Sequence, residues 1–250
     1  MAMFPFQGIT EGDFVVVLVL ADDGDPMTEV AKAIAHHGVG TRVAAQDRPL
    51  KVRYRGKVLA DDVPKAEKIL AESLRVLKTD YLDLVYWHQV GEREVENGLK
   101  PDGVYTWLLK QKKAGKVRFV GISGHNHPAR FLGLLESGEV DALLVIINFV
   151  DLHTYDFEGK VLPAARKHNT GIVAMKVFGG ARKGNYPDPK CPPQLDVEYL
   201  DLAVRYSMAI DGVATLNIGT HNVEQVRKNV ELVKRCRPLT VDEQQKIATL

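Results

Sequence analysis

Cysteine is scarce in this chain. Only Cys191 and Cys236 occur in 250 residues, too few and too far apart for a disulfide framework or a CxxC metal knuckle. Both read as reduced thiols, and the chain as cytoplasmic. An excess of charge of one sign is also missing. The 33 basic and 32 acidic residues leave a formal net charge of +1, which removes the electrostatic case for a nucleic-acid or membrane-surface partner. Long hydrophobic runs are absent as well. The longest, Phe14 to Ala21, is too short to span a bilayer and follows Glu11 and Asp13, so it reads as neither a transmembrane helix nor a signal peptide. With 45% hydrophobic and 26% charged residues, disordered and collagen-like classes are excluded. The length suits one (βα)8-type domain or two smaller ones.

From about Ala66 onward one unit recurs: amphipathic helix, short break, apolar strand, polar residue. Ile69, Leu70, Leu74 and Leu77 stand at helical spacing within 65–78, and YLDLVYWH (81–88) follows as a strand. A helix over 104–114 stops at Gly115 before the strand KVRFVGIS (116–123). Pro128 opens a helix that Gly138 closes, and DALLVIIN (141–148) is a nearly continuous apolar strand. A helix over 161–168 leads to GIVAMKV (171–177), and one over 197–210 leads to VATLNIG (213–219) and a last helix over 223–235. Strands buried on both faces and linked by helices predict a parallel α/β sheet. Each strand ends in a polar group: His88, Ser123, Asn148, Lys176, and Gly219 with Thr220. The C-terminal strand ends carry the active site of a (βα)8 barrel, so the expectation is a partial TIM barrel of five βα units.

Residues 1–63 do not follow that pattern. A long strand (13–23), a helix (26–38) and two short β-rich pieces (41–46, 50–57) suggest a small α+β segment. The seam falls near Asp61 to Pro64, giving domains 1–63 and 64–250. The His36–His37 pair is not at helical ligand spacing, so no metal site is expected.

Two family resemblances follow. The motifs AESLRVLKTDYLDLVYWH, KKAGKVRFVGISGH, GIVAMKVFGG and NIGTHNVEQVRKN resemble the aldo/keto reductases, in that family's order. The resemblance implies a barrel that binds NADP or NAD at its C-terminal mouth and reduces small carbonyl substrates. It places His88 as the catalytic histidine. Ser123 and Asn148 fall by the nicotinamide, Lys176, Phe178 and Gly179 by the pyrophosphate, and Gly219, Thr220, Gln225 and Asn229 along the rest of the dinucleotide. No Lys or Arg follows Gly219 immediately, so a 2′-phosphate preference is not supported, with Arg227 as the one residue left open for such a contact. The family's tetrad also needs Asp, Tyr and Lys from earlier strands, for which no match is found. Weak or no turnover is therefore expected.

The motifs DFVVVLVLADDGDPMTEVAKAIAHH and RVAAQDRPLKVRYRGK resemble the gamma (B) subunit of toluene monooxygenase hydroxylases over about residues 1–60. That implies a ubiquitin-like β-grasp segment, with its last strand missing, and diiron hydroxylase subunits as partners. The chain then reads as a chimera: a reductase fragment, a non-catalytic subunit or scaffold, or a composite with no activity. Five βα units leave two sheet edges open. The N-terminal strands could fill them, or the chain could form a homodimer through them.

Overall fold

The computed structural model describes residues 16–17, 55–152, 154–179, 199–218 and 223–249. The expected helix over 26–38, the strand over 41–46, most of the strand over 13–23, and Gly219 and Thr220 lie outside these residues. In chain order the elements are β1 (Val16–Val17), β2 (Arg55–Val58), α1 (Val63–Leu77), β3 (Leu82–His88), a 3₁₀ turn (Val90–Glu92), α2 (Val95–Gly98), α3 (Val104–Lys113), β4 (Val117–Ser123), α4 (Ala129–Leu135), β5 (Ala142–Ile146), α5 (Phe157–Lys160), α6 (Leu162–Lys167), β6 (Gly171–Met175), α7 (Leu200–Ala209), β7 (Val213–Asn217), α8 (Val223–Lys234) and α9 (Val241–Thr249). They fall into two compact units.

One unit spans residues 43–145 and 155–172. Its strands lie side by side as β2, β3, β4, β5, all parallel. The helix between β2 and β3 starts where Asp62 caps it, its carboxylate accepting from the Lys65 N–H at 2.8 Å, and Pro64 sits in its first turn. It ends as Lys78 turns left-handed (φ 52°), with the Lys78 and Thr79 N–H groups capping the Arg75 and Leu74 carbonyls. Gly115 (φ 76°) and Gly138 (φ 73°) follow the ends of α3 and α4, at the places expected for them.

Two charged ties hold the strands in line. Asp83, 2% exposed on β3, accepts from Arg118 on β4 at 2.6 Å. Asp141, at the entrance to β5, accepts from Lys112 at 2.6 Å and from the Val120 N–H at 2.8 Å. Each carboxylate is stabilised by its partner rather than left buried alone.

The other unit spans residues 1–42, 146–154 and 173–250. Here β1 pairs in parallel with β7, Val16 opposite Leu216 and Val17 opposite Asn217. An N-terminal strand thus takes one edge that the five-strand repeat leaves open. In the first unit β2 takes the other, against β3. The latter strand is expected over 50–57 and is described over 55–58. The C-terminal helix α9, which apolar periodicity does not announce, is fixed by charge. Buried Arg205 on α7 donates to Asp201 at 2.7 Å and to both Glu243 oxygens at 2.8 and 2.6 Å. Arg237 and the Thr240 N–H converge on the same carboxylate at 2.9 and 2.8 Å.

These donors hold the Glu243 carboxyl well below its ordinary value near 4.5, the Arg205 hydrogen bonds chief among them. A depressed folded-state pKa contributes stability that is present above the ordinary value and lost as pH falls. Glu243→Gln is therefore expected to lower stability at pH 7 by roughly 1–3 kcal/mol, and the deficit should shrink on acidification below about pH 4.5. Urea unfolding at pH 7 and pH 4 checks both the loss and its pH dependence.

Candidate active site

Register decides which side chains meet. In the first unit Lys57 lies opposite Tyr86, Tyr86 opposite Gly121, and His88 opposite Ser123. Side chains alternate along a strand, so Lys57, Tyr86, His88, Gly121 and Ser123 share one face of the sheet. Tyr86 is fully buried, and its ring occupies the space that a side chain at 121 would need. A Cβ at Gly121 would stand 2.5 Å from the Ala142 carbonyl and 2.7 Å from the Tyr86 ring. Glycine is required there for close approach.

At the C-terminal end of that face, His88 Nδ1 and the Ser123 hydroxyl are 2.7 Å apart. Ser123 is fully buried and His88 half-buried. The His125 ring stands edge-on to His88, centroids 5.9 Å apart. Burial pushes the His88 pKa down to about 3, and the charges of Lys57, His125 and Arg93 add to it. The imidazole is therefore neutral at pH 7. In the tautomer in which the Ser123 hydroxyl donates to Nδ1, Nε2 carries the proton and can donate a hydrogen bond to a carbonyl oxygen.

Two residues here escape sequence reasoning. Lys57 comes from the strand preceding α1, where no tetrad lysine is expected, and its charge reaches His88. The signal that could have found it is the register of β2. Arg93 has no motif around it, yet its Nε donates to the His88 carbonyl at 2.6 Å.

The second unit holds a separate polar cluster. Asn148 donates both amide protons within the chain, to Asp151 Oδ2 at 3.0 Å and to the Lys176 carbonyl at 2.9 Å. Its oxygen accepts from the Asp151 N–H at 2.8 Å. One acceptor lone pair remains for a ligand. The turn closes on itself, since Asp151 stands three residues after Asn148, a local pattern visible in sequence. Burial raises the Asp151 pKa, and burial lowers that of Lys176, which the Asp151 charge partly offsets. Lys176 is left-handed (φ 57°), and its carbonyl accepts from Gly179 (φ 119°) at 3.0 Å, so Lys176, Phe178 and Gly179 belong to one tight turn. On α8, Gln225 is half-buried and Asn229 buried. Spacing of four places them on one helix face.

A nicotinamide dinucleotide is the group these positions are expected to hold. Asn148 has an acceptor to offer, and the buried Thr215 hydroxyl and Asn217 Oδ1 on β7 have no hydrogen-bond partner among the described residues. Buried polar atoms of this kind call for a water or a polar ligand. Two amide oxygens that accept and one hydroxyl thus make a set of polar atoms chemically compatible with a polar ligand such as this. Among the described residues no three His, Cys, Asp or Glu side chains gather as a metal site, and no helix is long and apolar enough to cross a membrane.

Comparison with known proteins defines both halves. The solved structure of an aldo-keto reductase from Bacillus halodurans superposes with a TM-score of 0.67 over 94% of this chain and 90% of its own, at 19% identity. The chain thus has the aldo-keto reductase fold, a TIM-barrel class of α/β protein. Aldo-keto reductase family 1 member C2 of Homo sapiens is 28% identical over 189 residues, 65% of this chain and 57% of that protein. The chain thus spans just over half the length of the curated reductases it matches. Residues 3–86 match the family profile of toluene-4-monooxygenase system protein B (TmoB). The gamma subunit of the toluene-4-monooxygenase hydroxylase of Ectopseudomonas mendocina is 34% identical over 86 residues, 34% of this chain and 98% of that subunit. Through residues 3–86 the chain belongs to the TmoB family. The likeness extends beyond residue 60. It runs through α1 and into β3.

Two outcomes follow from the His88 face. Gly121→Ala is expected to cost about 1–3 kcal/mol by overpacking against Tyr86, read by urea unfolding. A neutral buried His88 takes up its proton only on unfolding, so stability falls as pH drops from 6.5 toward 3. His88→Asn should flatten that part of the stability–pH curve.

Proposed function

We propose that this chain is an aldo/keto-reductase-like oxidoreductase with an incomplete carbonyl site, so that it reduces aldehydes and ketones weakly or not at all. The observation that supports it most is the His88–Ser123 pair, with Lys57 on the same face. A neutral His88 would orient a carbonyl oxygen through Nε2–H, and the Lys57 charge would favour electron density gathering there. Burial excludes water from the Ser123 side. The proton donor is the weak point, because the segment from which the family draws its Asp and Tyr has no match in this chain.

NADP or NAD is the implied cofactor, and when bound it would supply the hydride. Asn148, Lys176, Phe178, Gly179, Gln225 and Asn229 would hold it, together with Gly219 and Thr220. The chain is read as composite, 1–63 and 64–250, with the two ancestries overlapping beyond the seam.

A second reading is favoured by the match to 98% of a hydroxylase gamma subunit: a non-catalytic part of a diiron hydroxylase complex. Retention on immobilised hydroxylase alpha and beta subunits is its test, and loss of all retention at moderate salt would remove it.

The reductase reading is tested by fluorescence titration with NADPH and NADH on protein whose size has first been checked, the sizing step deciding between monomer and homodimer. Saturable micromolar binding, weakened by Gln225→Ala and Asn229→Ala, is expected, with turnover of small aldehydes near background. Absence of binding up to millimolar cofactor would overturn it.

A further inference from the structure

Arg93 is an arginine buried to 6% exposure whose side-chain partners, among the described residues, belong to the end of β3 and the segment leaving β2. Its Nε donates to the His88 carbonyl at 2.6 Å. One terminal nitrogen of its guanidinium donates to the Asp61 carboxylate, and the guanidinium stands 5.9 Å from the Trp87 ring centroid. Its own carbonyl accepts from Arg130, which also faces Glu94 at 3.7 Å. Both the backbone and the head of Arg93 are thereby fixed.

What it holds is the sharp exit of the chain from β3. Gln89 is left-handed at φ 59°, a conformation that a non-glycine residue adopts only where neighbours impose it. A second tie runs the same way, the Trp87 indole N–H donating to the Ala60 carbonyl at 3.0 Å. Arg93 and Trp87 together fasten the strand end that carries His88 to residues 60–61, three to four positions beyond Lys57.

We propose that Arg93 is the positioning residue of the His88 site: its planar, forked guanidinium fixes the His88 backbone so that the imidazole stays against Ser123, and Asp61 anchors it from outside. The fork matters because an ammonium is a point charge that cannot reproduce two directed hydrogen bonds and a stacked plane. This proposal deepens the carbonyl-site reading of His88 and rests on it.

The charged and titratable groups around the imidazole are Lys57 from β2, Arg93 from the turn after β3 and His125 from the loop after β4. Asp61 engages Arg93, and Glu92 accepts from Asn126 at 3.2 Å. Removing Arg93 releases the strand end, lets water reach the ring and takes away one neighbouring positive charge. Each change raises the His88 pKa.

The test is an NMR titration of the His88 ring, following its nitrogen and carbon shifts with pH, in the full chain and in Arg93→Met, Arg93→Lys and Asp61→Asn. The parent is expected to stay neutral to about pH 3 with one tautomer. Arg93→Met and Arg93→Lys should both move the midpoint up by at least about one pH unit and mix the tautomers. Asp61→Asn, at a side chain 77% exposed, should move it less in the same direction. A folded Arg93→Met that titrates like the parent overturns the proposal. So does an Arg93→Lys that does so, since charge alone would then suffice. If Arg93→Met does not fold, Asp61→Asn decides by the same criterion. Cofactor titration in parallel separates the readings: the ring shifts do not depend on it, so a parent that binds no NADPH or NADH up to millimolar concentration yet gives the expected shifts removes the reductase reading and leaves the positioning role.

Discussion

Parallel pairing between β3 and β4 carries the rest of the first unit, because it alone sets His88 against Ser123 and Tyr86 over Gly121. A slip of one residue would turn every side chain to the opposite face. Several features oppose it at once. The Asp83–Arg118 pair locks the two strands. Asp141 accepts from the Val120 N–H and fixes the start of β5 relative to β4. The absent side chain at 121 lets a tyrosine ring fill the gap in one register only. Charge on one side of the sheet thereby secures polar chemistry on the other.

That arrangement also determines what the histidine can do. Buried, and close to the charges of Lys57, His125 and Arg93, the imidazole resists protonation and is a neutral hydrogen-bonding group at pH 7. The second unit works differently. Its Asn148–Asp151–Lys176 cluster is satisfied largely from within, which stiffens a turn and leaves a single acceptor to offer.

Much of this could be read from residue order. Strand ends at His88 and Ser123, helix stops at Gly115 and Gly138, and the shared face of Gln225 and Asn229 follow from periodicity and from glycine's freedom, both local properties. The helices α2 and α5 are four residues each, too short for an apolar stripe, and α9 is held by Arg205 rather than by a hydrophobic face. Lys57 and Arg93 could not be read because their meaning is set by partners about thirty residues away or by a backbone carbonyl, and neither leaves a spacing. The two N-terminal strands flanking the repeat are similar: strand character was visible at 13–23 and 50–57, but partners in a sheet are a long-range choice.

The extent of the TmoB likeness has a practical edge. It ends at Tyr86, inside β3 and two residues short of His88, on a strand whose neighbours are β2 and β4. Anyone wishing to express the TmoB-like part separately has no clean place to cut. Division at the family limit would split a strand in mid-sheet and strip β4 of its neighbour. Division before α1 would hand one piece an unfinished copy of the subunit. The TmoB-like stretch and the rest of the first unit share one strand, so parting them breaks the sheet pairing of both.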